Sequence, residues 1–187
     1  MKSNTYRPPY KQPKPIFIRP ELLLHPNIPK PLHGLNPRTI LGTEWWDEKR
    51  QEAYKKNNYC CWACGVHKLN AKYHSWLEAH EYYDYEYEKG EAKLIEIVAL
   101  CHSCHNFIHS GRMNMLLDSG EMSIVMYLDI KHHGEFILEK AGLLVDYYNQ
   151  TPPQKVAEWK AWHIVIGGKK YYTKFSGIEE WYLHYNG

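Results

Sequence analysis

The sequence contains neither a long apolar run nor a strong excess of charge of one sign. No run approaches the length of a membrane span, and no apolar stretch follows Met1-Lys2-Ser3-Asn4, so we expect no signal peptide, no membrane partner and a cytoplasmic location. The formal net charge of +2 is too small to identify a polyanionic partner by itself. The apolar content of 44% is ordinary, which argues against a disordered chain.

Phenylalanine is also scarce, since the chain has 4 Phe against 16 Tyr and 7 Trp. Because a tyrosine side chain ends in a polar hydroxyl, we expect many of these residues at surfaces or in a wet site. The 187 residues suffice for one domain with a core and an appendage.

Proline and basic residues are concentrated at the N-terminus. Nine of the eleven prolines precede residue 38, and residues 1–40 hold seven Lys or Arg against one acid, Glu21. Proline fixes φ and removes a donor, so we expect an extended arm with at most short turns, which wraps over the body or reaches for a partner. A basic arm suits phosphate attraction, although a solvated tail that contacts nothing has the same composition.

Hydrophobic periodicity predicts helices and short strands in alternation. The predicted helices cover residues 44–57, 102–109, 112–142 and 176–185. The predicted strands cover residues 75–81, 82–87, 92–100, 162–166 and 169–175. We expect the helix over 112–142 to break at Ser119-Gly120 and at His133-Gly134.

The cysteine spacing favours metal binding over disulfides. Cys61-Trp-Ala-Cys64 and Cys101-His-Ser-Cys104 can supply four thiolates to one tetrahedral zinc ion. Four closed ligands and the absence of a βαβ pattern argue against an Fe–S cluster or a redox dithiol. Cys60 leaves an alternative open, in which Cys60 pairs with Cys64. A closed four-cysteine site supports folding and does not itself catalyse.

Histidines follow the second cysteine pair directly. His105 and His109 are four residues apart on a predicted helix, so they share one face and can hold one divalent ion. His80 lies on a predicted strand that can pack against this helix. Strand alternation puts Glu78 and His80 on the same face of that strand, and Glu81 on the other.

Residues 59–112 resemble the HNH (ββα-metal, His-Me finger) endonucleases, in particular the branch with a four-cysteine structural zinc site that is common in bacteriophages. The resemblance rests on three motifs: Cys61-Trp-Ala-Cys64, Leu77-Glu-Ala-His-Glu81 and Val98-Ala-Leu-Cys-His-Ser-Cys-His-Asn-Phe-Ile-His109. It implies a metal-dependent nuclease that acts on DNA, with structural Zn²⁺ and a catalytic Mg²⁺ or another divalent ion.

The resemblance also implies residue roles. His80 takes the position of the general base, and His105 and His109 those of ligands to the catalytic ion. Family members commonly place Asp or His just before the base, where this chain has Ala79. Glu78 or Glu81 can substitute, or His80 becomes the ligand and Glu81 the base.

A second departure concerns the Asn that usually braces the base, since Glu96 lies near its expected place. We therefore expect an α+β fold with a zinc-knuckle ββα-metal core. Its predicted parts are an extended arm (1–42), the zinc-stabilised HNH-like domain (43–112), a helical extension (113–150) and a small C-terminal β-hairpin and helix module (151–187).

Three functions are compatible with these features. The leading hypothesis is an HNH endonuclease that hydrolyses phosphodiester bonds in DNA, in the host cytoplasm if the chain is phage-encoded. The second is a catalytically decayed zinc-finger scaffold that binds DNA or a host protein, which Ala79 and the missing Asn favour. The third is a zinc-bridged interaction module without a nucleic-acid role.

Overall fold

One mixed sheet of four strands organises the computed structural model, which describes residues 12–186. The strands are β1 (Glu78–Glu86), β2 (Glu91–Leu100), β3 (His163–Ile166) and β4 (Lys169–Tyr172). They lie in the order β1-β2-β3-β4. The pairs β1/β2 and β3/β4 are antiparallel, and β2/β3 is parallel. With the helices this confirms the α+β class.

The described part of the chain also contains seven α-helices. They are α1 (Pro37–Leu41), α2 (Thr43–Lys56), α3 (His102–Ile108), α4 (Ser110–Asp118), α5 (Ile124–Lys140), α6 (Leu144–Tyr148) and α7 (Ile178–Asn186). Short 3-10 helices occupy Pro20–Leu24, Lys30–Leu32, Lys68–Asn70 and Trp159–Ala161. The predicted break at Ser119-Gly120 is confirmed, because α4 ends at Asp118.

The two strands predicted over 75–81 and 82–87 are one strand, β1, and the prediction of a boundary between them was wrong. Tyr82 pairs with Glu96 but Tyr83 pairs with Leu94, so Ile95 is an extra residue in β2. Such a bulge disturbs the two-residue alternation of β2 without ending that strand. In β1 the buried residues His80 and Tyr83 are three positions apart, so the alternation is interrupted there as well, and this interruption resembles a strand end in the sequence.

The predicted break at His133-Gly134 was also wrong, because α5 runs through it without interruption. Gly134 is buried against α3, and a Cβ atom added there would lie 2.2 Å from Cδ2 of Phe107. The glycine therefore allows α3 and α5 to approach closely. This contact joins the helix that carries the second cysteine pair to the longest helix of the described chain.

The described part of the N-terminal arm packs along the body, whereas residues 1–11 lie outside the described residues. The amide side chain of Asn57 accepts from the backbone N–H of Ile16 at 2.7 Å and of Phe17 at 3.1 Å. It also donates to the carbonyl of Phe17 at 3.1 Å. Leu22 and Leu23 of the first 3-10 helix are buried in the main core. The arm therefore contributes residues to the interior.

The C-terminal hairpin is present as predicted, and β3 extends the sheet through parallel pairing with Glu91–Lys93 of β2. Trp162 is 1% exposed and packs with Leu32, Ala92 and Ile164 in a second core cluster. Within the described residues, no helix combines the length and the apolar character that crossing a bilayer requires.

Replacing Gly134 by Ala tests the close approach of α3 and α5. The added methyl group overlaps the ring of Phe107, and overpacking of this kind costs about 1–3 kcal/mol, more than the gain in helix propensity of about 1 kcal/mol. We expect the free energy of unfolding in urea, measured with zinc in excess, to fall. Gly177→Ala is the control, because a Cβ atom there meets no atom within 4 Å. A Gly134→Ala protein that is more stable than wild type would contradict the packing.

Candidate metal centres

The two segments Cys61-Trp-Ala-Cys64 and Cys101-His-Ser-Cys104, here called the first and second knuckle, bring their four cysteines together. The Sγ atoms of Cys61, Cys64, Cys101 and Cys104 all lie within 4.8 Å of one another, and those of Cys64 and Cys101 are 3.8 Å apart. Thiolates about 2.3 Å from a tetrahedral zinc ion are about 3.8 Å from each other. The cluster therefore fits a structural zinc site, as the spacing predicts.

Backbone hydrogen bonds hold the first knuckle in place. The N–H of Cys61 donates to the carbonyl of Val66 at 2.8 Å, and the N–H of Gly65 donates to the carbonyl of Cys61 at 2.9 Å. Gly65 has a φ of +77°, which favours glycine. The N–H of Trp62 donates to the carbonyl of Ala99 at 2.8 Å. The knuckle is thus attached to β2 two residues before Cys101.

Cys60 lies apart from this cluster. Its Sγ atom is 3.6 Å from the carbonyl oxygens of both Pro13 and Asn58, and burial raises the pKa of its thiol. The alternative in which Cys60 pairs with Cys64 therefore has no support in the structure.

His133 of α5 lies close to the four-cysteine cluster, which the sequence did not indicate. Its Nε2 is 3.8 Å from Sγ of Cys104.

The structure also brings together the three histidines that the sequence singled out. Nitrogen atoms of His80, His105 and His109 lie within 4.8 Å of one another, close enough to hold one metal ion. Nδ1 of His80 is 3.1 Å from Nε2 of His109. Two ligands at 90° about an ion that is about 2.1 Å away are separated by about 3.0 Å. This distance therefore fits two imidazoles that share an ion.

Glu78 contacts the ring of His105. Oε2 of Glu78 lies 2.5 Å from Nδ1 of His105, which leaves Nε2 of that ring for an ion. Carboxylates commonly fix metal-binding histidines in this way. Burial opposes ionisation of Glu78, but its contacts with His102 and His105 outweigh burial and lower the pKa of the carboxyl well below its usual range.

A histidine of the N-terminal arm contacts His80 from the other side. Nε2 of His80 is 3.2 Å from Nδ1 of His25, and Nε2 of His25 is 3.2 Å from the carbonyl and 3.1 Å from the backbone nitrogen of Tyr83. The backbone N–H of Tyr83 donates to Nε2 of His25, so Nδ1–H of His25 donates to Nε2 of His80, and the proton of neutral His80 lies on Nδ1, which faces His109. An ion on Nδ1 of His80 would require the opposite tautomer of both rings, with Nε2–H of His25 donating to the carbonyl of Tyr83.

These rings are neutral at neutral pH, as metal ligation requires. Burial lowers the pKa of His25 to about 4 and that of His109 to about 3. Burial, followed by the charges of His109, His105 and His25, lowers the pKa of His80 well below its usual value. His25 could not be found from the sequence, because no spacing rule connects residue 25 to residue 80.

Glu81 lies beside the histidine cluster and lines a cleft of about 680 Å³ together with His109, Arg112 and Lys30. Burial raises the pKa of the Glu81 carboxyl. His80, by contrast, is only 2% exposed. The cleft therefore reaches the histidine cluster through His109, with Glu81 in its wall.

Glu96, which lies near the expected place of the bracing Asn, does not join the histidine cluster. It forms an ion pair with Arg19 of the arm, and Nζ of Lys56 is 3.9 Å from its Oε2. Glu78 instead takes part in a second group with His74 and His102, whose ligand atoms also lie within 4.8 Å of one another. Neither His74 nor His102 was predicted as a ligand.

Comparisons with family models, with curated proteins and with solved structures find no match to this chain. The HNH assignment thus stays a prediction from the motif residues. The arrangement of the cysteines and histidines is an independent observation, and it is the basis for the function considered below.

The adjacent cysteines Cys60 and Cys61 provide a matched test of the zinc site. We expect Cys61→Ser to lose one bound zinc ion per chain and to unfold at a lower temperature, because structural zinc contributes about 10–16 kcal/mol in small domains. Cys60→Ser should keep the zinc, since its sulfur lies outside the cluster. Elemental analysis measures the zinc content of each variant, and circular dichroism measures its unfolding temperature. Loss of zinc from Cys60→Ser with retention in Cys61→Ser would contradict the assignment.

Proposed function

We propose that the chain is a metal-dependent endonuclease of the HNH type, which hydrolyses phosphodiester bonds in DNA. One observation carries the proposal: His80, His105 and His109 converge within reach of one ion, and His105 lies on the helix that also carries Cys104 of the four-cysteine cluster. An ion held there would stabilise the negative charge that develops on the phosphate and on the leaving oxygen during hydrolysis. Mg²⁺ prefers oxygen ligands, whereas three imidazoles favour Mn²⁺, Ni²⁺ or Zn²⁺.

The geometry favours His80 as a ligand and Glu81 as the general base. Nδ1 of His80 faces Nε2 of His109 at 3.1 Å, and its ring is too deeply buried to meet a water molecule in the cleft. Glu81 lines the cleft. Because burial raises its pKa, the carboxylate is a stronger base than an exposed glutamate.

His25 acts in this scheme as a positioning residue. It lies between the backbone of Tyr83 and Nε2 of His80, so it sets the orientation of the His80 ring. Second partners of this kind commonly change metal affinity or activity by about 10–100-fold when they are removed.

The cleft beside Glu81 is suited to phosphate. Arg112 and Lys30 line it, and basic side chains position a nucleic-acid backbone without reading its sequence. His33, Trp181 and Tyr185 also line the cleft, and aromatic rings can stack on bases. The cleft therefore joins basic and aromatic groups at the histidine cluster.

A decayed scaffold that binds DNA or a host protein is the second candidate. The observation that favours it is Ala79, which has no side chain to ligate an ion where the family commonly has Asp or His. A scaffold keeps the four-cysteine zinc site and the basic cleft but has no catalytic ion.

Nicking of supercoiled plasmid in Mn²⁺ or Mg²⁺ tests the proposal. We expect nicking by the wild type, and a rate lower by about 10²–10⁴-fold in Glu81→Gln with unchanged metal content. His105→Ala should lose the ion and the activity together. His132→Ala is the control, because His132 is exposed on α5. The rate should fall as pH falls through the raised pKa of Glu81, since a base must be deprotonated.

Metal content in His80→Ala separates the two roles of that residue. Loss of the ion identifies His80 as a ligand, whereas an inactive protein that retains the ion identifies it as the base. A folded, ion-loaded wild type that binds DNA in a salt-dependent way without nicking it would reject the nuclease and support the scaffold.

A further inference from the structure

A second group of ligand atoms lies on the other side of Glu78. It consists of Nε2 of His74, in the loop before β1, Nδ1 of His102, in the first turn of α3, and Oε1 of Glu78. The two nitrogens lie 2.9 and 2.7 Å from Oε1 and 3.0 Å from each other. Three donor atoms from three separate elements thus form a nearly regular triangle.

Hydrogen bonds alone do not account for this triangle. Oε1 of the ionised carboxylate only accepts, and each nitrogen carries at most one proton. If both nitrogens donate to Oε1, both protons point at that oxygen, and the contact between the two nitrogens at 3.0 Å is not a hydrogen bond. If one nitrogen donates to the other, it loses its bond to Glu78. Hydrogen bonds therefore account for at most two of the three short contacts, whereas one cation against the triangle would account for all three.

The ring of His74 is held in the orientation that a ligand needs. Its Nδ1 is 3.2 Å from the carbonyl of Trp76, so Nδ1–H can donate there and leave the lone pair of Nε2 for an ion. Metal-binding histidines commonly donate their other N–H to a backbone carbonyl. The ring also stacks on Trp76, with centroids 3.8 Å apart and planes 2° from parallel.

We propose that His74, Glu78 and His102 bind a second divalent ion, distinct from the one on the three-histidine cluster. Ligand atoms about 2.1 Å from an octahedral ion are about 3.0 Å apart, which agrees with all three edges of the triangle. Two imidazoles and one carboxylate suit Zn²⁺, Mn²⁺ or Co²⁺. The three side chains are between 12% and 23% exposed, so water can complete the coordination.

Glu78 connects the two ions through its two oxygens. Oε1 would bind the second ion, while Oε2 contacts Nδ1 of His105, which is one of the three histidines of the first cluster. Removal of Glu78 therefore affects both sites, whereas removal of His74 affects only the second. This site goes beyond the proposed nuclease activity, because the chain can bind the ion whether or not it cleaves DNA.

Titration with Co²⁺ of protein that already carries one zinc on the cysteines tests the proposal. Equilibrium dialysis with elemental analysis should give two Co²⁺ per wild-type chain and two for the control His132→Ala. His74→Ala should bind one. Glu78→Ala should also bind one, with an affinity weaker than in His74→Ala by about 10–100-fold, because His105 loses its partner.

His102→Gln provides a second variant if His74→Ala does not fold. Binding of the same number of Co²⁺ ions by the wild type, His74→Ala and His102→Gln would overturn the second site. These outcomes are independent of plasmid nicking. Two bound Co²⁺ without nicking would reject the nuclease and leave the second site in place.

Discussion

Four thiols converge on one point at the start of α3. Cys101 is the last residue before α3, and Cys104 lies in its first turn. An ion on these cysteines and the first knuckle would fix where α3 begins and how it is rotated. That rotation determines which way His102, His105 and His109 face, because all three follow on the same short helix.

Glu78 is the second organising group. A single carboxylate contacts three histidines, one from the loop before β1 and two from α3. A partly buried charge needs such partners, because burial without them costs up to about several kcal/mol. The strand that carries Glu78 also carries His80 and Glu81, so the alignment of β1 against α3 places the proposed ligands and the proposed base together.

Local spacing was sufficient to predict the parts of these centres that lie close together in sequence. The four cysteines and the pair His105 and His109 follow spacing rules that zinc and helical geometry impose. His25 and His74 follow no such rule, because only the packing of the arm and of the loop before β1 brings them near. The predicted helix break at Gly134 was wrong for a similar reason. The absence of a side chain at this position makes room for Phe107, which is distant in sequence.

We infer that zinc on the cysteines positions the histidines of both groups. The most direct test is to measure the affinity of the histidine sites for Mn²⁺ by electron paramagnetic resonance, in the wild type and in Cys61→Ser. We expect the affinity of these sites for Mn²⁺ to be lost or to fall at least about 10-fold when Cys61, a ligand of the zinc site, is replaced. Equal Mn²⁺ affinity in the two proteins would contradict it, because the histidines would then be positioned without the zinc.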